Sequence, residues 1–347
     1  MPRVVFKGLL WSVIAVLTLE FCARVDDWIS YGASPFGLYD SSLLTTFDKV
    51  GQCGRPNARY LKWKLNSLGF RGPELDPRAL RILCLGSSET FGQFEAEGHE
   101  WPRELERVLN QSPPPGTRYQ AVNAGFAGET FPTSVQRLPD RLAEVHPKFV
   151  LLYPSLAHYL SLPAVRPSGP PPPTFRWRMQ ERIDTALKQS TAMWFQTWVR
   201  QREIERALGS ESQLDNMPPE YRQEFCEDLE TAIDLSRRVG AEPALITHAN
   251  RFKDRVDPSE RFMLIAWHKF YPMLREEAFL PMEASMNDVM RQVARDKNVL
   301  LIDAAQAMPS GPAYFADFVH FTDKGSAAFS HIVGEKLMPS LESRARQ

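Results

Sequence analysis

Short apolar runs alternate with stretches of helical spacing along most of the chain. The runs lie at residues 81–85, 119–122, 149–153, 243–247 and 299–302. Between them apolar positions recur every three or four residues, as at Trp101, Leu105 and Val108. Strands that alternate with helices predict a parallel sheet covered on both faces. In such a sheet the active site is expected at the carboxyl ends of the strands.

Residues 4–23 form an apolar stretch that follows Arg3 and includes Lys7. A helix of about 20 residues spans about 30 Å, enough to cross a bilayer. Cleavage after Ala23 would place bulky Phe21 at a position that requires a small residue. The pattern therefore favours an uncleaved membrane anchor over a signal peptide or a buried helix. Basic residues before the stretch, with acidic residues after it, predict a cytoplasmic N-terminus and a periplasmic or extracellular remainder.

Three further segments divide the rest of the chain. Residues 24–80 are predicted to be a juxtamembrane segment with a leading strand, because Trp63 and Leu65 alternate with Lys62 and Lys64. Residues 81–342 would form the main domain, with an insertion at about 155–240. A proline-rich run opens this insertion, and a predicted helix around Trp194 follows. This helix either packs on the core or serves as a substrate lid or a membrane-surface helix.

The aromatic-rich segment 251–282 is either a satellite core or the wall of an apolar pocket. Net charge is −1, so no basic footprint for nucleic acid is expected. The four cysteines are scattered without metal-ligand spacing, which argues against a metal site. We expect no cofactor.

Three motifs follow predicted strands. Ser88 lies on the turn after the first strand, within Gly86–Gly92, where a serine can be exposed as a nucleophile. After the second strand, Gly128 could donate its N–H to an oxyanion. After the fifth strand, Asp317 and His320 are three residues apart, which on a helical turn would let the carboxylate orient the imidazole. Taken singly, the first motif is also typical of a phosphate-binding or structural turn, and the second is also typical of an ordinary tight turn.

In this order the motifs resemble those of the SGNH/GDSL hydrolase family. The family's first block, Gly-Asp-Ser-x-Thr-x-Gly, is matched from Gly86 to Gly92 except that Ser87 replaces aspartate. Gly128 matches the oxyanion glycine, and Asp317 with His320 matches the final Asp-x-x-His block. Residues 66–74, Asn-Ser-Leu-Gly-Phe-Arg-Gly-Pro-Glu, are similar to a segment of membrane-anchored bacterial members.

The resemblance implies a flavodoxin-like three-layer α/β/α fold with five parallel strands in the order 2-1-3-4-5. It also implies a catalytic set of Ser88, Asp317 and His320, with the N–H groups of Ser88 and Gly128 forming the oxyanion hole. The family's third block supplies an asparagine to that hole, whereas this chain has Ala157 at the aligned position. Asn250, after the fourth strand, is a candidate replacement; the alternative is an ordinary turn asparagine.

The predicted function is hydrolysis of acyl esters, including O-acetyl esters, of envelope glycans or lipids. The partners would be that ester substrate and the membrane, which the N-terminal helix would enter. One alternative uses the same triad to transfer the acyl group to a sugar hydroxyl. The other is a catalytically impaired binding or assembly protein, for which Ala157 is the main argument.

Overall fold

The computed structural model describes most of the chain. The described residues are 2–31, 36, 44–60, 62–156, 214–253, 255–261, 263–264, 267 and 274–345. Ala157, His158, the proline-rich run and the helix predicted around Trp194 lie outside them.

The main element is a five-stranded parallel sheet. Its strands are β5 (Leu80–Gly86), β6 (Tyr119–Asn123), β7 (Phe149–Tyr153), β8 (Glu242–Ile246) and β9 (Leu300–Ile302). They lie in the order β6-β5-β7-β8-β9, with every neighbouring pair parallel. The order 2-1-3-4-5 is therefore confirmed. All five predicted apolar runs form strands of this sheet.

Helices cover both faces, because each strand alternates its side chains between two cores. Leu83 and Leu85 face the core shared with α4 (Phe131–Val145), α5 (Pro219–Arg238) and α6 (Phe279–Asp296). Ile82 and Cys84 face the opposite core. That core is shared with α3 (Trp101–Leu109) and α8 (Asp323–Ala345). The short helices α2 (Ser88–Phe91) and α7 (Ala304–Ala307) follow β5 and β9 directly.

Two small hairpins precede the sheet. The first pairs β1 (Thr45–Phe47) with β2 (Gln52–Gly54), and the second pairs β3 (Arg59–Tyr60) with β4 (Trp63–Lys64). The single strand expected from the alternation at 58–65 is thus wrong. Lys62 breaks that alternation, because its side chain is buried with the ammonium 5.3 Å from the Trp63 ring centroid.

The N-terminal helix α1 spans Pro2–Tyr31. Within it, the 21 residues Phe6–Asp26 are long and apolar enough to cross a membrane, and none of the stretch is buried against the rest of the protein. A signal sequence would have the same length and composition. The helix therefore leaves a large apolar surface without protein contacts.

The described parts of the predicted insertion (about 155–240) and of the aromatic-rich segment 251–282 pack on the sheet. Helix α5, which lies within the range predicted as an insertion, buries Phe225, Leu229 and Ile233 in the core it shares with α4. From the aromatic-rich segment, Phe252 and Trp267 belong to the same core. These two side chains are part of the main core under the sheet rather than of a separate satellite core.

Candidate active site

The turn that carries Ser88 is compact because two glycines let Thr90 pack beneath it. A Cβ at Gly125 would lie 2.7 Å from the Thr90 Cβ, and one at Gly86 would lie 2.8 Å from the carbonyl oxygen of Tyr153. Real Cβ atoms do not approach so closely, so both positions require glycine. Ser88 is the first residue of α2 and is half-buried, while Glu89 and Thr90 behind it are buried. The hydroxyl of Ser88 therefore lies at the carboxyl edge of β5.

Asp317 and His320 lie in the loop between α7 and α8. Asp317 Oδ1 accepts hydrogen bonds from the N–H groups of Val319 at 2.9 Å and His320 at 2.8 Å. This side-chain turn replaces the helical turn expected from the three-residue spacing. The outcome for the side chains is nevertheless the expected one, since Asp317 Oδ2 lies 2.7 Å from His320 Nδ1.

Ser88, His320 and Asp317 form one hydrogen-bonded line. His320 Nε2 lies 2.7 Å from Ser88 Oγ, although the two residues are 232 positions apart in sequence. Burial alone would lower the pKa of His320, but the charge and hydrogen bond of Asp317, with the charges of Glu89 and Glu95, raise it to about 9. The rings of Phe94 and Phe318 lie beside the imidazole, with centroids 5.4 and 6.4 Å away.

Gly128 lies on the loop between β6 and α4. It is exposed and has a φ of 82°, a left-handed conformation that favours glycine. Within the described part of the chain, neither its N–H nor that of Ser88 has a hydrogen-bond partner. Two backbone donors are thus available in the loops that follow neighbouring strands.

A buried ion-pair cluster anchors the Gly128 loop to α4. The Glu129 carboxylate, fully buried, accepts from Arg137 at 3.1 Å and from Arg141 at 2.9 Å. Arg137 also donates to Asp48, in the turn between β1 and β2. The cluster therefore links the loop beside the site to the hairpin that follows the N-terminal helix.

Arg71 anchors the other side of the site. Its buried guanidinium donates to the carbonyl oxygens of Phe91 at 2.7 Å and Ala96 at 3.2 Å, and also to that of Gly92. These three carbonyls follow the Ser88 turn, so the guanidinium pairs backbone acceptors at the C-terminal end of α2. Arg71 belongs to the segment 66–74. Its hydrogen bonds therefore connect that segment to the backbone that follows the Ser88 turn.

Asn250 lies after β8 in a turn of its own. Its Oδ1 accepts from the N–H groups of Phe252 at 3.0 Å and Lys253 at 2.9 Å. This is the contact of an ordinary turn asparagine. The aligned position of the missing family asparagine, Ala157, lies outside the described residues.

The sequence did not single out three charged residues that the structure brings to Ser88. Glu89 Oε2 lies 3.3 Å from Ser88 Oγ, and Glu89 Oε1 lies 3.4 Å from His248 Nε2. His248 Nδ1 lies 2.8 Å from Glu283 Oε2. The only available signal was the charge of Glu89 beside the serine in an otherwise uncharged turn. Among the described residues, no group of histidine, cysteine and carboxylate side chains could hold a metal ion.

Comparison with known proteins gives only distant structural similarity. No family model matches the sequence, and no curated protein matches it. A lipase/acylhydrolase from Enterococcus faecalis is 17% identical, with 74% of this chain and 94% of that chain covered at a TM-score of 0.43. A GDSL-like lipase from Bacteroides thetaiotaomicron is 11% identical, covering 78% and 93% at a TM-score of 0.42. A catalytic mutant of an acetylxylan esterase from Geobacillus stearothermophilus is 15% identical, covering 77% and 95% at 0.42.

Proposed function

We propose that the protein is a membrane-anchored serine ester hydrolase. The observation that carries this proposal is the line of two 2.7 Å contacts from Ser88 Oγ to His320 and from His320 to Asp317. A serine hydroxyl is a weak nucleophile until a neighbouring base takes its proton. The same geometry recurs in unrelated serine hydrolases, where it is recognised by the roles of its members.

The proposed reaction has two halves. In the first, Ser88 Oγ attacks the ester carbonyl while His320 Nε2 takes the hydroxyl proton, and His320 then delivers this proton to the departing alcohol. In the second, His320 takes a proton from water, whose oxygen attacks the acyl carbonyl on Ser88. The bond between the acyl group and Ser88 Oγ then breaks as His320 returns the proton to Ser88 Oγ, and the acid leaves. Asp317 fixes the imidazole and stabilises its charged form. The N–H groups of Ser88 and Gly128 would bind the negatively charged carbonyl oxygen.

The substrate we propose is an acyl ester, such as an O-acetyl ester, on a glycan or lipid at the outer side of the membrane. The apolar stretch Phe6–Asp26 supports membrane attachment. Arg3 and Lys7 at the start of the stretch, with Asp26 and Asp27 at its end, support a cytoplasmic N-terminus. A tethered site would then meet substrates of the envelope rather than cytoplasmic esters.

The full chain, solubilised in detergent, allows a direct test. We expect a fluorophosphonate probe to label the wild type and 4-nitrophenyl acetate to be hydrolysed, whereas Ser88→Ala abolishes both. Ser87→Ala is the matched control, because Ser87 is the adjacent hydroxyl of the same turn and its side chain makes no capping hydrogen bond. Labelling that persists in Ser88→Ala contradicts the nucleophile assignment, and an unlabelled wild type contradicts catalysis.

A further inference from the structure

A second line of charged groups also reaches Ser88. It runs from Glu89 through His248 to Glu283, with the contacts of 3.3, 3.4 and 2.8 Å given above. The side chains of these three residues are only 5, 2 and 1% exposed, respectively. Ions buried this deeply are costly unless they are paired. An ion pair with a purely structural role would not require a contact with the Ser88 hydroxyl.

Neighbouring groups fix His248 in place. Asn287 accepts from the His248 N–H through Oδ1 at 2.7 Å and donates to its carbonyl oxygen through Nδ2 at 2.9 Å. The imidazole also stacks on the Tyr153 ring, with 5.4 Å between the centroids. Both ring nitrogens consequently stay directed at the two carboxylates.

This arrangement keeps His248 protonated and Glu89 ionised. Burial alone would lower the pKa of His248, but the charge and hydrogen bond of Glu283, together with Glu89, raise it to about 10. Burial alone would raise the pKa of Glu89, but the hydrogen bond from His248 and the charges of His320 and His248 lower it to about 2. An imidazolium donates from both nitrogens, and an ionised carboxylate only accepts. At Ser88 the serine must therefore be the donor to Glu89.

Ser88 has one hydroxyl proton and two acceptors within reach. When His320 is neutral, the hydroxyl can donate to His320 Nε2, which is the contact needed for attack. When His320 is protonated, its Nε2 is itself a donor, so the hydroxyl can donate only to Glu89. The negative charge of Glu89 also favours the protonated form of His320.

We propose that Glu89 is a second acceptor for the Ser88 hydroxyl and that its charge sets the pH range in which His320 acts as a base. In this proposal His248 and Glu283 are positioning residues that keep the Glu89 carboxylate ionised and in place. The proposal rests on the function proposed above for Ser88 and His320. It adds a residue that stabilises the resting, protonated form of the site.

The carboxylates that face His320 come from three segments. Asp317 lies on its own loop, Glu89 on α2, and Glu95 on the loop before α3. Burial raises the pKa of Glu95 to about 7 against its hydrogen bond with Ser326 and the charge of Arg71. Glu95 is a suitable comparison for Glu89, since it is also buried and acts on the same imidazole but has no hydrogen bond with Ser88.

The test is the pH profile of kcat/KM for 4-nitrophenyl acetate with the detergent-solubilised full chain. We expect Glu89→Gln, which preserves shape and removes charge, to move the acidic limb to lower pH by about one unit or more. Probe labelling at pH 7 should become correspondingly faster. Glu95→Gln should move the limb in the same direction by less. An unmoved limb in Glu89→Gln, or a larger shift in Glu95→Gln, overturns the proposal.

Nuclear magnetic resonance titration of the imidazole nitrogens gives a readout that does not depend on turnover. In the wild type we expect His248 to remain doubly protonated through pH 8, and in Glu89→Gln we expect the pKa of His320 to fall. If His248 in the wild type titrates near the ordinary histidine pKa, the proposal is wrong even where Glu89→Gln does not fold. A wild type that is neither labelled nor active refutes the proposed hydrolase, while the titration still decides whether Glu89 controls the protonation of His320.

Discussion

Arg137 and Asp48, which are 89 positions apart in sequence, form a bidentate ion pair. Arg137 Nε donates to Asp48 Oδ2 at 2.8 Å, and Arg137 Nη2 donates to Asp48 Oδ1 at 2.9 Å. The pair joins the hairpin after the N-terminal helix to α4, and Glu129 joins the same arginine to the Gly128 loop. The β1–β2 hairpin is therefore part of the support of the candidate site.

Replacement of Asp48 tests this support. Hydrogen bonds from Arg137 hold the pKa of Asp48 well below its usual range against the effect of burial. The pair therefore stabilises the fold above the unfolded-state pKa of aspartate, and this stabilisation is lost as the pH falls through the lowered folded-state value. Because Asp48 is partly exposed, we expect Asp48→Asn to cost about 1 kcal/mol at pH 7.

Urea unfolding of the wild type and Asp48→Asn at pH 7 and pH 3 measures this difference, which should shrink at the lower pH. Asp140→Asn is the matched control. It breaks the Lys49–Asp140 pair between the same two elements, whose side chains are 76 and 60% exposed. We expect that control to change the unfolding free energy by less than about 0.5 kcal/mol. Equal effects of the two substitutions would contradict a special role for Asp48.

The conformation of Gly128 allows backbone strain to be separated from catalysis. Alanine in its left-handed conformation should cost about 1–2 kcal/mol of stability. Gly116, with a φ of 74°, is also exposed, and a Cβ at either glycine would meet no atom within 4 Å. We expect Gly128→Ala and Gly116→Ala to destabilise the fold similarly. Alanine keeps the backbone N–H, so kcat should fall only in Gly128→Ala, where relief of the left-handed strain would turn that N–H away from the oxyanion. Equal kcat values for the two variants would count against a Gly128 oxyanion donor.

The raised pKa of His320 predicts an alkaline activity profile. Only neutral imidazole can take the Ser88 proton, and the pKa of about 9 means that His320 is mostly protonated at pH 7. We therefore expect kcat/KM for a small ester to rise about tenfold per pH unit up to that value. Asp317→Asn should move the limb to lower pH and reduce the maximal rate by a factor on the order of 10⁴. A wild-type limb near the ordinary histidine pKa would contradict the prediction.

The turn around Asn250 predicts that this residue is not an oxyanion donor. Aspartate can accept the same two backbone N–H groups through Oδ1, but it has no amide donor. Asn250→Asp should therefore leave kcat within about threefold, whereas removal of an oxyanion donor typically costs about 10²–10³. A loss of the larger size would assign Asn250 the role that Ala157 lacks.

Membrane attachment is tested by extraction and topology. In an expressing bacterium we expect the full chain to resist carbonate extraction and to be digested by protease added to spheroplasts. Val13→Arg places a charge within the apolar stretch and should increase the extracted fraction. Recovery of a soluble form that lacks the apolar stretch would instead indicate a cleaved signal sequence.

The sheet could be predicted from sequence because each strand is a short apolar run, and two-sided burial leaves that run uninterrupted. Ser88, Asp317 and His320 could be predicted because their motifs follow strands and therefore meet at one edge. The local conformation at Asp317 could not, because its carboxylate binds two backbone N–H groups and replaces the expected helical turn.

The charged residues behind the site were harder to predict. Glu89, His248 and Glu283 lie on three separate elements, and each one alone has the character of a surface residue. They meet because the strand order brings β8 within two strands of β5, and because α6 packs on the face of the sheet that carries Leu83 and Leu245. Charged side chains are usually exposed, and a hydropathy pattern cannot show that these three are buried.

The 232 positions between Ser88 and His320 have a consequence for biosynthesis. Synthesis proceeds from the N-terminus, so the serine leaves the ribosome long before the histidine, and β9 and α8 must also emerge before the loop carrying that histidine can dock. In the proposed mechanism, a nascent chain therefore has no base for Ser88 until the His320 loop has emerged and docked. By that time α1 has long been available to the export machinery.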